Sequence, residues 1–194
     1  MKIAVLVSAV VIGGHLLTNS FSTKTKTGIT NIQTYKTSKS KKSASLPISP
    51  IKIVVDKSSY ELHVYDAKGW YATYPVVFGN KNLDDKKMEG DRKTPEGTYH
   101  IAAKRYHNKW SRFMALDYPN KEDLAKFEER KRRGEVPRNA SPGGGIGIHG
   151  TWPHEGFVVD RYNNWTNGCI SLKNEDVQEL YNYIPVGTSI TIRK

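Results

Sequence analysis

The sequence predicts a mainly β domain over residues 51–194, a sandwich or compact barrel carrying one or two short helices. Three observations predict it. Short apolar or alternating runs recur along this stretch, each closed by Gly, Pro, Asn or Asp turn residues. Helical spacing is confined to two segments, at residues 120–134 and 174–184. The residues before position 51 differ sharply in composition and share no core pattern with the rest.

That first part is basic and low in complexity. The chain of 194 residues has a formal charge of +11, from 30 Lys and Arg against 19 Asp and Glu. Lys2, Lys24, Lys26, Lys36, Lys39, Lys41 and Lys42 all precede residue 51, with no acidic residue among them, so residues 51–194 carry only +4. The basic character belongs mostly to the tail, which argues against a nucleic-acid-binding domain; no nucleic acid partner is expected. Residues 1–21 set Lys2 before an apolar run from Ile3 to Leu17, interrupted by Gly13, Gly14 and His15. The run is short of the roughly 20 apolar residues that span a bilayer, and it has the charged start and apolar middle of an export signal. No small-x-small cleavage site follows, so a cleaved signal peptide and a retained N-terminal membrane anchor both stay open. Export to the periplasm or cell envelope is expected. Residues 22–50, rich in Ser, Thr and Lys, hold too few large apolar residues to offset the entropy of ordering them, and form a flexible linker. Its lysines are either simply solvated or rest on anionic envelope polymers or lipid head groups.

Within the domain, residues 51–55 and 59–65 read as strands around the turn Asp56-Lys57-Ser58, and residues 70–79 as the returning strand after Asp66-Ala67-Lys68-Gly69. A polar loop, 80–93, leads to the Thr94-Pro95-Glu96-Gly97 turn and a strand over 99–103. Asn120 is the expected N-cap of a helix ending near Gly134, with Glu122 and Asp123 at its positive end and Arg130 to Arg133 at its negative end. Leu124 and Phe127 are its only sizeable apolar residues, so it buries a narrow stripe at the surface, beside a groove or as a lid. In residues 141–150, Ile146 and Ile148 point to one face of a strand, and Gly147 and His149 to the other. A phosphate-binding loop is excluded there, because no Gly-Lys-Ser/Thr and no helix follow. Residues 157–159 read as a further strand. Asn174 is expected to cap a last helix, with Val177, Leu180, Tyr181 and Ile184 on one face, and residues 189–192 close the domain as a strand.

Cys169 is the only cysteine. An exported protein commonly oxidises its thiols in pairs, and this one has no internal partner; it is a buried filler, an intermolecular bridge or a reactive thiol. A cysteine nucleophile needs a base and donors where an oxyanion forms. Of six histidines, His149 and His154 stand closest upstream of Cys169. His149 ends the glycine-lined strand and precedes Gly150, where an imidazole meets no crowding. Gly168 lets the backbone turn sharply, so that the Gly168 and Cys169 amides could face a substrate oxygen. No His/Asp/Glu cluster has ligand spacing, so neither a metal nor another cofactor is implied.

Taken in order, Ile148-His149-Gly150, then Thr166-Asn167-Gly168-Cys169, then Asn174-Glu175-Asp176-Val177 resemble the active-site signature of the L,D-transpeptidases with the YkuD-type catalytic domain. Residues 92–101, RKTPEGTYHI, are similar to that family's Thr-Pro-x-Gly turn, and residues 62–79 resemble its first hairpin. The resemblance implies a β-sandwich-like L,D-transpeptidase catalytic domain over residues 51–194, acting on peptidoglycan stem peptides in cell-wall cross-linking or attachment. It implies Cys169 as the nucleophile that forms a thioester and His149 as its base. Thr166 would order the turn, the Gly168 and Cys169 amides would hold the oxyanion, and Gly150 would allow the tight approach beside the histidine. An amine acceptor, an envelope protein among the candidates, or water would release the product.

Two positions depart from the family pattern. Asn167 stands where many members have a second histidine, and Ser171 where many have arginine. Arg161 is the nearby cation in sequence that could replace the latter. Trp152 and Trp165 are either groove walls for a sugar-peptide substrate or half-buried packing residues. The rival functions are an L,D-carboxypeptidase using the same thioester and a non-catalytic cell-wall-binding module that keeps the fold without the chemistry.

Overall fold

A computed structural model describes residues 40–194. The expected export segment, and the linker as far as residue 39, lie outside them; the rest of the expected linker is not free, since Lys41 and Lys42 pair with Thr73 and Ala72 and Ile48 hydrogen-bonds with Asp66 and Ala67. Among the described residues no helix is long and apolar enough to cross a membrane. Nine strands and three helices follow in the order β1 (Lys41–Lys42), β2 (Lys52–Asp56), β3 (Glu61–Asp66), β4 (Gly69–Pro75), β5 (Gly97–His107), β6 (Ser111–Leu116), α1 (Lys121–Arg132), β7 (Gly147–His149), α2 (Phe157–Asp160), β8 (Ile170–Ser171), α3 (Asn174–Tyr183) and β9 (Ser189–Arg193).

The strands hydrogen-bond in the order β1-β4-β3-β2-β9-β5-β6-β7-β8. The pairs β2·β9 and β7·β8 are parallel, and the others antiparallel. β5 is the hinge of this architecture. Its first residues, Gly97 to His100, pair with β9, and from Ile101 onward it pairs with β6, with a register shift between Ile101 and Ala103. A bulge bends a strand and increases its twist, so one long strand serves two half-sheets. A single apolar cluster takes Ile53, Leu62, Val64, Tyr74 and Ile190 from one half, and Met114, Ile148, Ile170 and Leu172 from the other. Val77, just after β4, bridges Ser171 of β8 and brings the end of the strand order back toward β4. The predicted mainly β, sandwich-like class matches this arrangement.

Several local expectations hold in detail and others need correction. Asn120 caps α1 in a reciprocal capping box with Asp123, and buried Asp123 also accepts a 2.9 Å hydrogen bond from the Tyr99 hydroxyl. Phe127 is buried while Leu124 is 45 % exposed, so the apolar stripe is narrow indeed. Arg130 of α1 pairs with Asp85 at 2.7 Å and fastens the helix to the 80–93 loop. Among the described residues the helices number three rather than one or two, because residues 157–159 belong to a single helical turn and not a strand. Val158 and Val159 are both buried with Val77. Adjacent strand residues would face opposite ways, so burying both selects a turn over the β propensity of valine. Asn174 opens α3 instead of capping it; the cap position is Lys173, without a side-chain hydrogen bond. The sequence pattern assigns no element to residues 104–119, where the structure places the second half of β5 and all of β6.

Candidate active site

The loop that carries Cys169 is held by its own threonine and by two neighbouring segments. Thr166 Oγ1 donates to the Cys169 carbonyl at 2.8 Å and accepts from the Gly168 N–H at 3.2 Å. Gly168 has φ +123°, and a Cβ there would lie 2.7 Å from the Lys93 carbonyl, so both conformation and space require glycine. Arg92 donates to the carbonyls of Thr166 at 3.2 Å and Trp165 at 3.3 Å. A Cβ on Gly79 would lie 2.5 Å from the Thr166 carbonyl and 2.8 Å from the Gly168 nitrogen. The motifs around Gly79 and Arg92 are thus walls of the cysteine loop. Asn164 adds a further tie, accepting from Phe78 N–H and donating to the Asn80 carbonyl, both at 2.8 Å.

Behind Arg92, Asp91 organises the polar 80–93 loop by accepting from the N–H groups of Lys87, Met88 and Lys93 and from the Lys86 ammonium. Burial is the largest single influence on its carboxyl and pushes the pKa up. Lys86 and the backbone donors together outweigh it, and the net direction is down.

β7 and β8 bring His149 and Cys169 together. Their parallel register sets Ile148 beside Ile170 and His149 beside Ser171, so Cys169, one residue before β8, stands next to Gly147. Both side chains line one cavity of about 470 Å³, walled by Trp110, Phe113 and Trp165, with Arg105 and Asn167 at its exposed edge. His149 is only 2 % exposed. Its ring stacks on Trp110 at 4.6 Å and 25°, lies nearly parallel to Phe113 at 6.0 Å, and meets Trp165 edge-on at 5.5 Å. Nδ1 lies 2.7 Å from the Gly150 carbonyl. A carbonyl only accepts, so Nδ1 bears the proton and Nε2 presents the lone pair. Burial drives the His149 pKa down to about 4, with the Gly150 bond opposing and His107 adding slightly.

The half-buried thiol of Cys169 donates weakly to the Gly145 carbonyl at 3.5 Å. Burial pushes its pKa above the ordinary 9.0, against the Gly147 N–H and the charge of Lys86. Thiol and imidazole are therefore both neutral at rest.

The other expected site residues fall into two groups. Thr166, Asn167 and Trp165 line the same cavity, and Gly168 shapes the loop beneath it, its N–H already used by Thr166. Gly150 is a close-packing point: a Cβ there would lie 2.8 Å from the Trp110 carbonyl and collide outright with Asn174 Oδ1. Ser171, Arg161 and Trp152 lie elsewhere. Ser171 is fully buried and donates to the Gly150 carbonyl at 3.3 Å, sharing the acceptor that orients His149. Exposed Arg161 lies over Phe157 at 5.2 Å, and Trp152 lines an adjoining cavity. His154 borders a different depression, with Thr151 and Lys173. Trp110, Phe113 and Arg105, the walls that the sequence pattern does not single out, all come from the β5–β6 hairpin. Its signal was faint: Phe113 and Leu116 beyond an Asn108-Lys109 turn.

A β architecture folded about one bent strand thus brings a cysteine and a buried histidine to one aromatic cavity. Residues 50–192 match the family model for YkuD, the L,D-transpeptidase catalytic domain, and the chain belongs to that family. Among solved structures, it is similar to the helical cell shape determining protein Pgp2 from Campylobacter jejuni, with 22 % identity and a TM-score of 0.54, over 81 % of this chain and 51 % of that one. It is also similar to L,D-transpeptidase 3 from Mycobacterium tuberculosis in complex with a faropenem-derived adduct, with 14 % identity and a TM-score of 0.50, over 74 % of this chain and 60 % of that one. The chain thus spans about half of the first and three-fifths of the second, and at these identities the likeness concerns the fold. Comparison with curated proteins finds no match.

Proposed function

We propose that this protein is an exported L,D-transpeptidase that acts on peptidoglycan stem peptides through a thioester on Cys169. Family membership supports the reaction class. The observation that carries the assignment of residues is the shared cavity of Cys169 and His149, with the histidine's Nδ1 committed to Gly150 and its Nε2 left to accept. The Cys169 sulfur attacks the donor carbonyl as its proton passes to His149 Nε2. The Cys169 N–H stabilises the oxyanion, while the Gly168 N–H holds the loop through Thr166. Collapse of the tetrahedral intermediate breaks the C–N bond, and the leaving amine takes the proton from His149. An incoming amine then gives its proton to His149 and attacks the thioester, expelling the Cys169 thiolate, which is reprotonated. Water in place of the amine gives the carboxypeptidase outcome from the same intermediate.

Ser171 keeps the Gly150 carbonyl in place for His149 rather than gripping substrate. By analogy with Pgp2, a helical cell shape determining protein, the cellular role is in cell-wall construction that bears on shape. Residues 1–21 direct export or anchor the chain, and residues 22–39 tether the domain, which β1 joins by pairing with β4. Incubation with a stem tetrapeptide followed by intact-mass analysis tests the reading. An acyl adduct is expected on the wild type and none on Cys169→Ala. No adduct, or one that survives the substitution, overturns it. Added amine acceptor then separates transfer from hydrolysis by the product formed.

A further inference from the structure

The cavity that holds Cys169 does not end at Trp110. Next to it lies a second cavity of about 450 Å³, formed by the β5–β6 hairpin from Arg105 to Trp110 together with Trp152. Arg105 and Trp110 line both. Neither cavity has an acidic residue in its wall. The second has two exposed cations, Arg105 and Lys109, and neither forms an ion pair among the described residues. Several less exposed cations are matched: Lys57 with Glu96, Lys86 with Asp91, Arg130 with Asp85 and Lys173 with Asp160.

The two unmatched cations are nevertheless held in place. The Arg105 guanidinium lies 4.8 Å from the centre of the Phe113 ring, and the Lys109 ammonium 5.3 Å from that of Trp152. A cation over an aromatic face loses some freedom while its hydrogen-bond donors stay available. The hairpin tip between them is fixed as well. His107 stacks on Trp110 at 4.3 Å and 4°, and its Nδ1 accepts from the N–H groups of Lys109 at 3.3 Å and Trp110 at 3.2 Å. Trp152 meets Trp110 edge-on at 6.2 Å and completes an aromatic corner. Positive charge, no competing carboxylate and preformed aromatic walls together select an anionic ligand with an apolar body. A guanidinium reads the planar carboxylate group in particular.

We propose that this second cavity is a carboxylate-binding subsite: Arg105 and Lys109 hold a free carboxylate of the peptide whose reacting end enters the Cys169 cavity past Trp110. The peptide's hydrocarbon portion lies against Trp110 and Trp152. The subsite makes the enzyme selective for free carboxylates over carboxamides at that position of the stem peptide. The direction in which the peptide lies rests on the functional reading above, whereas carboxylate recognition does not.

The test uses the full chain carrying Cys169→Ala, so that no turnover interferes, and titrates it by calorimetry with two stem peptides, one with free carboxylates and one with carboxamides. The free form is expected to bind at least about tenfold more tightly, the scale of a hydrogen-bonded charge pair. Arg105→Gln with Lys109→Gln should abolish that preference, while Arg132→Gln with Arg133→Gln, exposed at the C-terminal end of α1, should keep it. Both pairs are on the surface, and circular dichroism checks that they fold. The subsite is overturned if wild-type residues at 105 and 109 give no preference or no binding, or if the double variant retains the preference. It is also overturned if inorganic phosphate at equal concentration displaces the peptide, which would make the cavity a general anion trap. Acylation of the chain with Cys169 intact is read separately by mass. An absent adduct with the preference preserved removes the transpeptidase reading and leaves the subsite standing.

Discussion

The pH dependence of Cys169 alkylation decides whether the thiol and His149 form an ion pair before substrate arrives. The thiol lies above 9.0 and the imidazole at about 4. Burial thus moves the two groups in opposite directions, each away from its charged form. Burial disfavours both charges, and attraction between them would have to offset two desolvation penalties. At pH 7 the thiol is protonated. The modification rate with iodoacetamide, followed by intact mass, should therefore rise about tenfold per pH unit from about pH 6 to pH 9 without a plateau, tracking the thiolate fraction. With a single cysteine in the chain, the label is unambiguous. His149→Gln should follow the same curve to within about twofold, because the imidazole holds no proton for the thiolate to pair with. A plateau starting between about pH 4 and pH 7 that vanishes in His149→Gln would refute the reasoning. If the monotonic curve is found, His149 serves as a base only during attack.

Three further outcomes are expected. Stability should fall with acidification in the window set by His149: above 6.5 both states hold it neutral, and from 6.5 down to about 4 only the unfolded chain takes up the proton. The loss approaches roughly 3 kcal/mol below that window, read as the difference between wild type and His149→Gln in urea melts at each pH; equal slopes would contradict it. Thr166→Val removes the oxygen that joins Gly168 N–H to the Cys169 carbonyl and should cost about 2–4 kcal/mol in urea unfolding, with Thr166→Ser recovering most of it. Gly150→Ala should destabilise by at least about 2 kcal/mol through overpacking, since its Cβ would strike Asn174 and Trp110. Gly144→Ala, in open space, should stay within about 0.5 kcal/mol in the same melts.

What was legible in the sequence follows from how local each cause is. Asn120 and Asp123 form their capping box within four residues, and α1 starts where the pattern says. Ile146 and Ile148 alternate with Gly147 and His149, and the structure puts the isoleucines in the core and the imidazole in the cavity. Residues 157–159 misled, because three β-compatible side chains look like a strand until Val77 makes Val158 and Val159 face the same way. Arg105, Trp110 and Phe113 stayed hidden since their importance depends on the β6·β7 pairing, which sets Phe113 opposite His149. Ser171 read as a missing cation, yet its role depends on burial beside Gly150, which no spacing rule reports.

The sequence by itself determined the mainly β class, the choice of Cys169 and His149 as candidates, and Gly168 as a turn residue. These depend on residue type and near neighbours. The tertiary structure alone decided that the two side chains share one cavity, that both rest neutral, and that a cationic aromatic corner adjoins them. Each of those depends on what strands distant in the chain bury, and desolvation is a property of the packed surroundings rather than of the residue.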